Sequence, residues 1–290
     1  MKFAGSLSEA DKEKASYELL GVPYDGNAVK KGVREGPAAI RKASHRLETF
    51  LWHDRLELSD LLYYDCGDLN LDFGITNSVD TRVKKIFAGG DHSISYSLVK
   101  HFFERGELDR VLVIDAHADF RDVYKRKKLS NACVMRRIAE LIGFENIVEI
   151  GVRSASEEEY ASLKKIRIYD AAMVKEKGVG RIVDEIEGAG EKTYLSVDID
   201  VLDPSIAPGV ENPEPCGMSL EALISLIRGI MRTKKVVASD VVEVNPRVDN
   251  ANGITSINAA RIIFEMLGCQ VKNAVLEKFR VQNANPGEAY

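Results

Sequence analysis

Val111-Leu112-Val113-Ile114-Asp115-Ala116-His117-Ala118-Asp119 begins as an unbroken apolar run and ends in a row of metal-ligand residue types. A short, β-branched apolar run of this kind suits a strand covered on both faces, as in the parallel sheets of α/β proteins. Side chains at i and i+2 of an extended segment share a face, so Asp115, His117 and Asp119 can aim at one point. The same layout returns further along the chain, where Asp198-Ile199-Asp200 follows Tyr194-Leu195-Ser196-Val197. A third polar cluster, Gly89-Gly90-Asp91-His92-Ser93, follows Lys85–Ala88 and adds His92. Two histidines and four aspartates exceed what one small ion takes. They suit two ions that share bridging carboxylates.

Outward from these segments the pattern is alternation. Strands are predicted at Tyr17–Leu20, Leu61–Asp65, Lys85–Ala88, Arg110–Asp115, Ile147–Ile150, Thr193–Asp198 and Val236–Val242. Helical periodicity is predicted over Ser93–Glu104, Cys133–Gly143, Ser156–Lys164, Gly180–Glu187, Ser219–Thr233 and Thr255–Leu267, with Ser219 as an N-cap. Alternation of this kind implies a three-layer α/β/α sandwich around a mostly parallel sheet. Ligands in such sheets bind at the carboxyl ends of the strands. His92, the Asp115–Asp119 row, Asp198 with Asp200, and Glu243 after Val236–Val242 all fall at such ends. Taken singly, each motif has a plainer explanation: a helix cap, a tight turn, a satisfied histidine, an ion pair. Packing needs none of the four, and buried unpaired carboxylates are costly. A bound cation removes that cost.

The bulk composition narrows the function classes. The 290 residues are 45% apolar, with no repeat or linker that divides them, and are expected to form one domain over 1–290. Forty basic residues against 45 acidic ones give a net charge of −5, with no basic excess to suggest nucleic acid. No run approaches the ~20 apolar residues of a membrane span. The start of the chain lacks the apolar core of a signal peptide, so a cytoplasmic location is expected. Cys66, Cys133, Cys216 and Cys269 are far apart. That spacing argues against a thiolate zinc site or a disulfide framework and for buried reduced thiols. A redox role for Cys133 and Cys216, in loops placed near the site, is the lesser expectation.

Oxygen-rich ligation with two imidazoles suits Mn²⁺ better than Zn²⁺. Two ions about 3.5–4 Å apart can hold a shared water as hydroxide, a nucleophile that needs no serine or cysteine. The chain has no Gly-x-Ser-x-Gly and no phosphate-binding Gly-Lys-Ser/Thr loop.

These segments, with Ser196-Val197-Asp198-Ile199-Asp200-Val201-Leu202-Asp203-Pro204 and Val242-Glu243-Val244-Asn245-Pro246, resemble the signatures of the ureohydrolases, the arginase and agmatinase family. Gly21–Gly26, Gly36-Pro37, Asp65–Asp68, Gly253–Ser256 and Ala259-Ala260 look like its remaining landmarks. Ala207-Pro208-Gly209 and Pro213-Glu214-Pro215 are closest to the agmatinase branch. The resemblance implies an arginase-like fold with two Mn²⁺ per subunit. It would place His92, Asp115, Asp119 and Asp198 on one ion, and Asp115, His117, Asp198 and Asp200 on the other. Asp115 and Asp198 would bridge. Asp119 would accept a hydrogen bond from a bridging hydroxide, and Glu243 would pair with a substrate guanidinium. Hydroxide attack would convert agmatine to putrescine and urea. A homotrimer or homohexamer is implied, with a small guanidino molecule as the partner and neither nucleic acid nor membrane.

One position departs from the family. Where its members usually carry a proton-shuttling histidine, this chain has Asn131, which can hydrogen-bond a substrate but cannot titrate. General acid–base help is typically worth 10²–10⁴-fold. A basic run, Tyr124-Lys125-Arg126-Lys127-Lys128, would favour a guanidino acid if it faced the pocket, whereas Glu157-Glu158-Glu159 would favour an amine. Agmatine hydrolysis is therefore the first expectation, with a guanidino acid or arginine as the alternative. A metal-binding relative with weak or no turnover is another alternative, and a deacetylase-like amidohydrolase ranks lower because it needs fewer ligands.

Overall fold

The computed structural model describes residues 1–69, 79–186, 188 and 190–284, the stretch 270–284 as backbone only. In chain order the elements are β1 Tyr17–Gly21, α1 Gly36–Ser44, β2 Phe50–Leu51, β3 Leu56–Glu57, β4 Tyr63–Asp68, β5 Lys84–Ala88, α2 Ile94–Phe103, β6 Arg110–Ile114 and α3 Val134–Ile142. They continue with β7 Ile147–Ile150, α4 Glu157–Leu163, β8 Arg167–Tyr169, α5 Ala171–Lys177, α6 Val179–Glu185, β9 Lys192–Asp198, α7 Leu220–Thr233, β10 Lys235–Val242 and α8 Ile254–Ala284. Eight strands form one sheet in the order β4-β1-β5-β10-β9-β6-β7-β8. Every neighbouring pair in it is parallel.

Strand parity builds the three layers. In β6, Leu112 and Ile114 join one core with residues of α1, α6, α7 and α8, while Val111 and Val113 join the other with α2 and α3. Both faces are covered, which is why this strand reads as continuously apolar. The order also sets the site. The chain leaves β5 and crosses to β6, and β9 and β10 later fill the gap between them. That reversal is where an open α/β sheet holds its ligand. The four polar clusters of the sequence end β5, β10, β9 and β6, four adjacent central strands.

Several elements differ from expectation. The strand expected from Leu61 starts at Tyr63, because Leu58–Leu61 closes as a 3-10 turn and Leu62 is left-handed at φ 47. The last helix runs on to Ala284. The helix expected over Gly180–Glu187 spans Val179–Glu185, and Glu187 lies outside the described residues. Ser219 caps α7 as expected, accepting from Ala222 N at 3.2 Å. Helix α1, the β2–β3 hairpin, β8 and α5 had no sequence forecast. Among the described residues no helix is long and apolar enough to cross a membrane.

Candidate metal centre

The loops after the four central strands bring all six expected ligands together. His92 Nδ1 lies 3.1 Å from Asp115 Oδ2, 3.1 Å from Asp119 Oδ2 and 3.4 Å from Asp198 Oδ2. His117 Nδ1 lies 2.9 Å from Asp200 Oδ2 and 3.8 Å from Asp115 Oδ1. Two groups have ligand atoms that all lie within 4.8 Å of one another: His92 with Asp115 and Asp198, and Asp115 with His117 and Asp200. Asp115 belongs to both. Asp198 belongs to one, since its Oδ1 accepts from Asp200 N at 2.8 Å.

Local backbone explains the convergence. Gly90 is required where it stands, because a Cβ there would fall 1.8 Å from the Tyr24 carbonyl oxygen. That close approach presses the Asp91–Ser93 turn onto the sheet. Glu243 N then donates to Gly90 O at 2.9 Å, and Glu243 Oε1 accepts from His92 N at 2.7 Å. Asp119 and Glu243 both have left-handed backbone, at φ 49 and φ 66. A non-glycine residue there costs about 1–3 kcal/mol, and such strain clusters at functional sites.

The charges cannot all coexist without cations. Burial, then the neighbouring Asp200 and Asp119, push Asp115 up to about 7. Burial, Asp200 and Asp115 hold Asp198 well above the carboxylate range. Burial and then Asp198 do the same to Glu243. Burial alone would lower His92, but Asp115, Asp119 and Asp198 outweigh it and hold it well above its ordinary value. Burial is likewise outweighed at His117, which Asp200 raises to about 10. Among the described residues, no hydrogen bond reaches the buried His92 Nδ1, Asp115 Oδ2 or Glu243 Oε2. A cluster with unsatisfied donor atoms and excess carboxylate fits divalent ions, and its oxygen-rich set fits manganese better than zinc.

The centre opens into a cavity of about 500 Å³, whose wall includes His117, Asp119, Asn131, Asp198, Asp200 and Glu243. Asn131 is buried and its Oδ1 accepts from Ala132 N at 3.0 Å. Of the basic run, Tyr124 reaches the cavity wall while Lys125–Lys128 do not. Glu159 reaches it but is consumed as a capping box on α4, with Glu157 and Glu158 exposed outside.

Over residues 15–268 the chain matches the model of the arginase family. It belongs to that family. An uncharacterized 32.2 kDa protein of Methanothermus fervidus is 38% identical over 92% of this chain and 98% of its own length. The agmatinase of Pyrococcus horikoshii is 32% identical over 93% and 97%. Among solved structures, the agmatine ureohydrolase of Thermoplasma volcanium is 29% identical, with a TM-score of 0.83 over 95% of this chain and 96% of that one. Within the family this arginase-fold chain is agmatinase-like.

Other residues of the site had no role assigned from sequence. Ser196 and Asp240 stand behind His92: Ser196 Oγ is 3.0 Å from His92 Nε2 and donates to Asp240 Oδ1 at 2.6 Å. Glu149 on β7 is buried with neither oxygen partnered. The available signal was a lone acid inside an otherwise apolar strand. Expectations for the thiols are corrected in part. Cys133 and Cys269 are buried, but Cys66, in the last half of the edge strand β4, and Cys216, in the loop after Pro215, are exposed. Burial raises the Cys133 thiol, which disfavours the reactive thiolate. His101 is structural, its Nε2 3.1 Å from Val79 O.

Proposed function

We propose that this protein hydrolyses guanidino compounds to urea and an amine at a two-manganese centre. His92, Asp115, Asp119 and Asp198 would hold one ion, and Asp115, His117, Asp198 and Asp200 the other. When bound, two such ions lower the pKa of a shared water and supply a nucleophile near neutral pH. The observation that carries this reading is the sharing of Asp115 between two ligand groups, with Glu243 fixed to the His92 backbone beside them.

The remaining steps fall to the chain itself. Glu243 offers its unpartnered Oε2 to the guanidinium and orients the carbon towards the ion cluster. Asp119, 3.1 Å from His92 Nδ1, stands to take the nucleophile's proton. Addition of water to the guanidinium carbon gives a tetrahedral species. Cleavage of its bond to the substituted nitrogen releases urea and the amine. Asn131 donates from its amide but cannot carry the proton to the leaving nitrogen. Its presence favours a second reading, a metal-binding relative with weak turnover.

Agmatine, which two of the relatives are named for, is the first substrate of this reading, with putrescine as its product. A cytoplasmic homotrimer or homohexamer, folded as one domain over 1–290, completes it. Urea release from the Mn²⁺-loaded protein with agmatine, arginine and 4-guanidinobutyrate tests it. Urea from any of them that disappears in Glu243→Gln supports hydrolysis. Silence from all three with two ions bound per chain favours the weak-turnover reading.

A further inference from the structure

The cavity wall presents hydrogen-bond donors where the tail of a substrate would lie. Arg121 follows the Asp115–Asp119 row by two residues and lines the cavity. Its guanidinium carbon lies 5.3 Å from the centroid of the Tyr124 ring, and its Nε lies 3.5 Å from Glu159 Oε2. Those two contacts hold the group at the cavity wall. Glu159 does not depend on Arg121, because it already accepts from Phe120 N, Ser156 N and Ser156 Oγ. Among the described residues neither terminal nitrogen of Arg121 holds a hydrogen bond, so a charged two-pronged fork is left open. The backbone sets Arg121 beside the Asn131 turn, with Arg121 N donating to Ala132 O at 3.1 Å. Asn131 adds to the same donor face. Its Oδ1 is committed to Ala132 N, so its amide NH₂ is what remains to offer.

A tail that ends in ammonium carries donors only and meets donors there. A tail that ends in carboxylate accepts two parallel hydrogen bonds from an arginine fork. We infer that Arg121 receives a substrate carboxylate and that the enzyme selects guanidino acids, with Asn131 donating to the same acceptor-rich tail. The inference rests on the hydrolytic reading above and sets a guanidino acid in place of agmatine as its substrate.

Two acidic groups of the wall, Glu159 and Glu211, are already engaged. Glu211 is buried and its Oε1 accepts from Lys30 N at 2.8 Å. Lys30 Nζ is held by Glu211 O at 3.1 Å. Glu214 is the rival: it also lines the cavity and its carboxylate has no hydrogen bond among the described residues.

The test compares 4-guanidinobutyrate with agmatine on the Mn²⁺-loaded protein, and in parallel measures binding of their amine products, 4-aminobutyrate and putrescine, by calorimetry. The expected result is a kcat/KM preference for the guanidino acid that falls about 30- to 100-fold in Arg121→Gln, chiefly through KM. Arg126→Gln, outside the cavity wall, should keep the preference, which separates contact from general charge. Product binding reads the tail even without turnover: 4-aminobutyrate should bind more tightly than putrescine and lose that advantage in Arg121→Gln. Absence of urea with this binding pattern intact would sink the hydrolytic reading and leave the tail assignment standing. Tighter binding of putrescine, with Glu214→Gln rather than Arg121→Gln abolishing selection, would overturn the inference.

Discussion

His92 Nε2 lies 3.0 Å from Ser196 Oγ, and the hydroxyl proton of Ser196 is spent on Asp240 Oδ1 at 2.6 Å. Ser196 can therefore only accept from the imidazole, which fixes Nε2 as the protonated nitrogen and turns the Nδ1 lone pair towards Asp115, Asp119 and Asp198 once an ion is present. Asp240 is itself held by Ser95 Oγ at 2.6 Å and Tyr194 OH at 2.8 Å. Outer partners of this kind tune ligand orientation and typically contribute 10- to 100-fold to metal affinity. Ser196→Ala should weaken the tighter Mn²⁺ binding by about that factor while leaving the fold intact. Calorimetric Mn²⁺ titration beside a circular dichroism spectrum checks it, and an unchanged affinity would refute the tautomer argument.

Loading the centre must expel protons. In the ion-free site the contacts described raise both imidazoles, His117 to about 10, which favours their protonated forms. A metal ligand must be deprotonated. The sign follows: falling pH opposes binding, and the affinity for Mn²⁺ rises with pH up to the histidine values. Protons should leave the chain on loading at pH 7, from the two rings and from the carboxyls of Asp115 and Asp198 that the site also raises. Titrations in two buffers of different ionisation enthalpy count them. A count near zero would mean that the imidazoles are not the displaced groups.

How much of this was legible in sequence depended on whether a residue's position explained itself. The four central strands were readable because each apolar run stops at a polar cluster, and those clusters converge at one end of the sheet. Strand β8 was not, since Arg167-Ile168-Tyr169 is only three residues long and sits at the sheet edge with one pairing partner. Helix α1 opens on Gly36-Pro37, which reads as a turn until the proline is seen at the first helical turn, where its missing N–H costs nothing. Arg121 belonged to no motif and acquires meaning only from the cavity. The charge runs at Lys125–Lys128 and Glu157–Glu159 pulled in opposite directions on paper. Three dimensions remove most of both from the pocket.

Glu149 gives a stability prediction. Both carboxylate oxygens are buried and unpartnered, and burial followed by the nearby Asp115 and Asp119 holds its pKa well above the ordinary value. A carboxyl raised in the folded state costs nothing below its unfolded pKa. Stability is then lost as pH rises, because the unfolded chain ionises while the folded one resists. Glu149→Met removes that penalty at similar volume. The metal-free variant should gain about 1–3 kcal/mol in urea denaturation at pH 7.5 and less at pH 5. An equal shift at both values would show that repacking, not ionisation, is responsible.

Asn131 is the position where restoring chemistry should be visible as a change in shape as well as rate. Its Oδ1 holds Ala132 N, and its side chain borders the cavity. Asn131→His would place a titratable group against that cavity, and general acid help at the leaving nitrogen is worth up to 10²–10⁴-fold. The variant should turn over guanidines faster, and its pH–rate profile should gain a limb that falls above the imidazole pKa, since only the protonated ring donates. A faster rate without that limb would point to simple repacking of the loop. An unchanged rate would mean that the proton reaches the amine by another route, such as Asp119 on the same cavity wall.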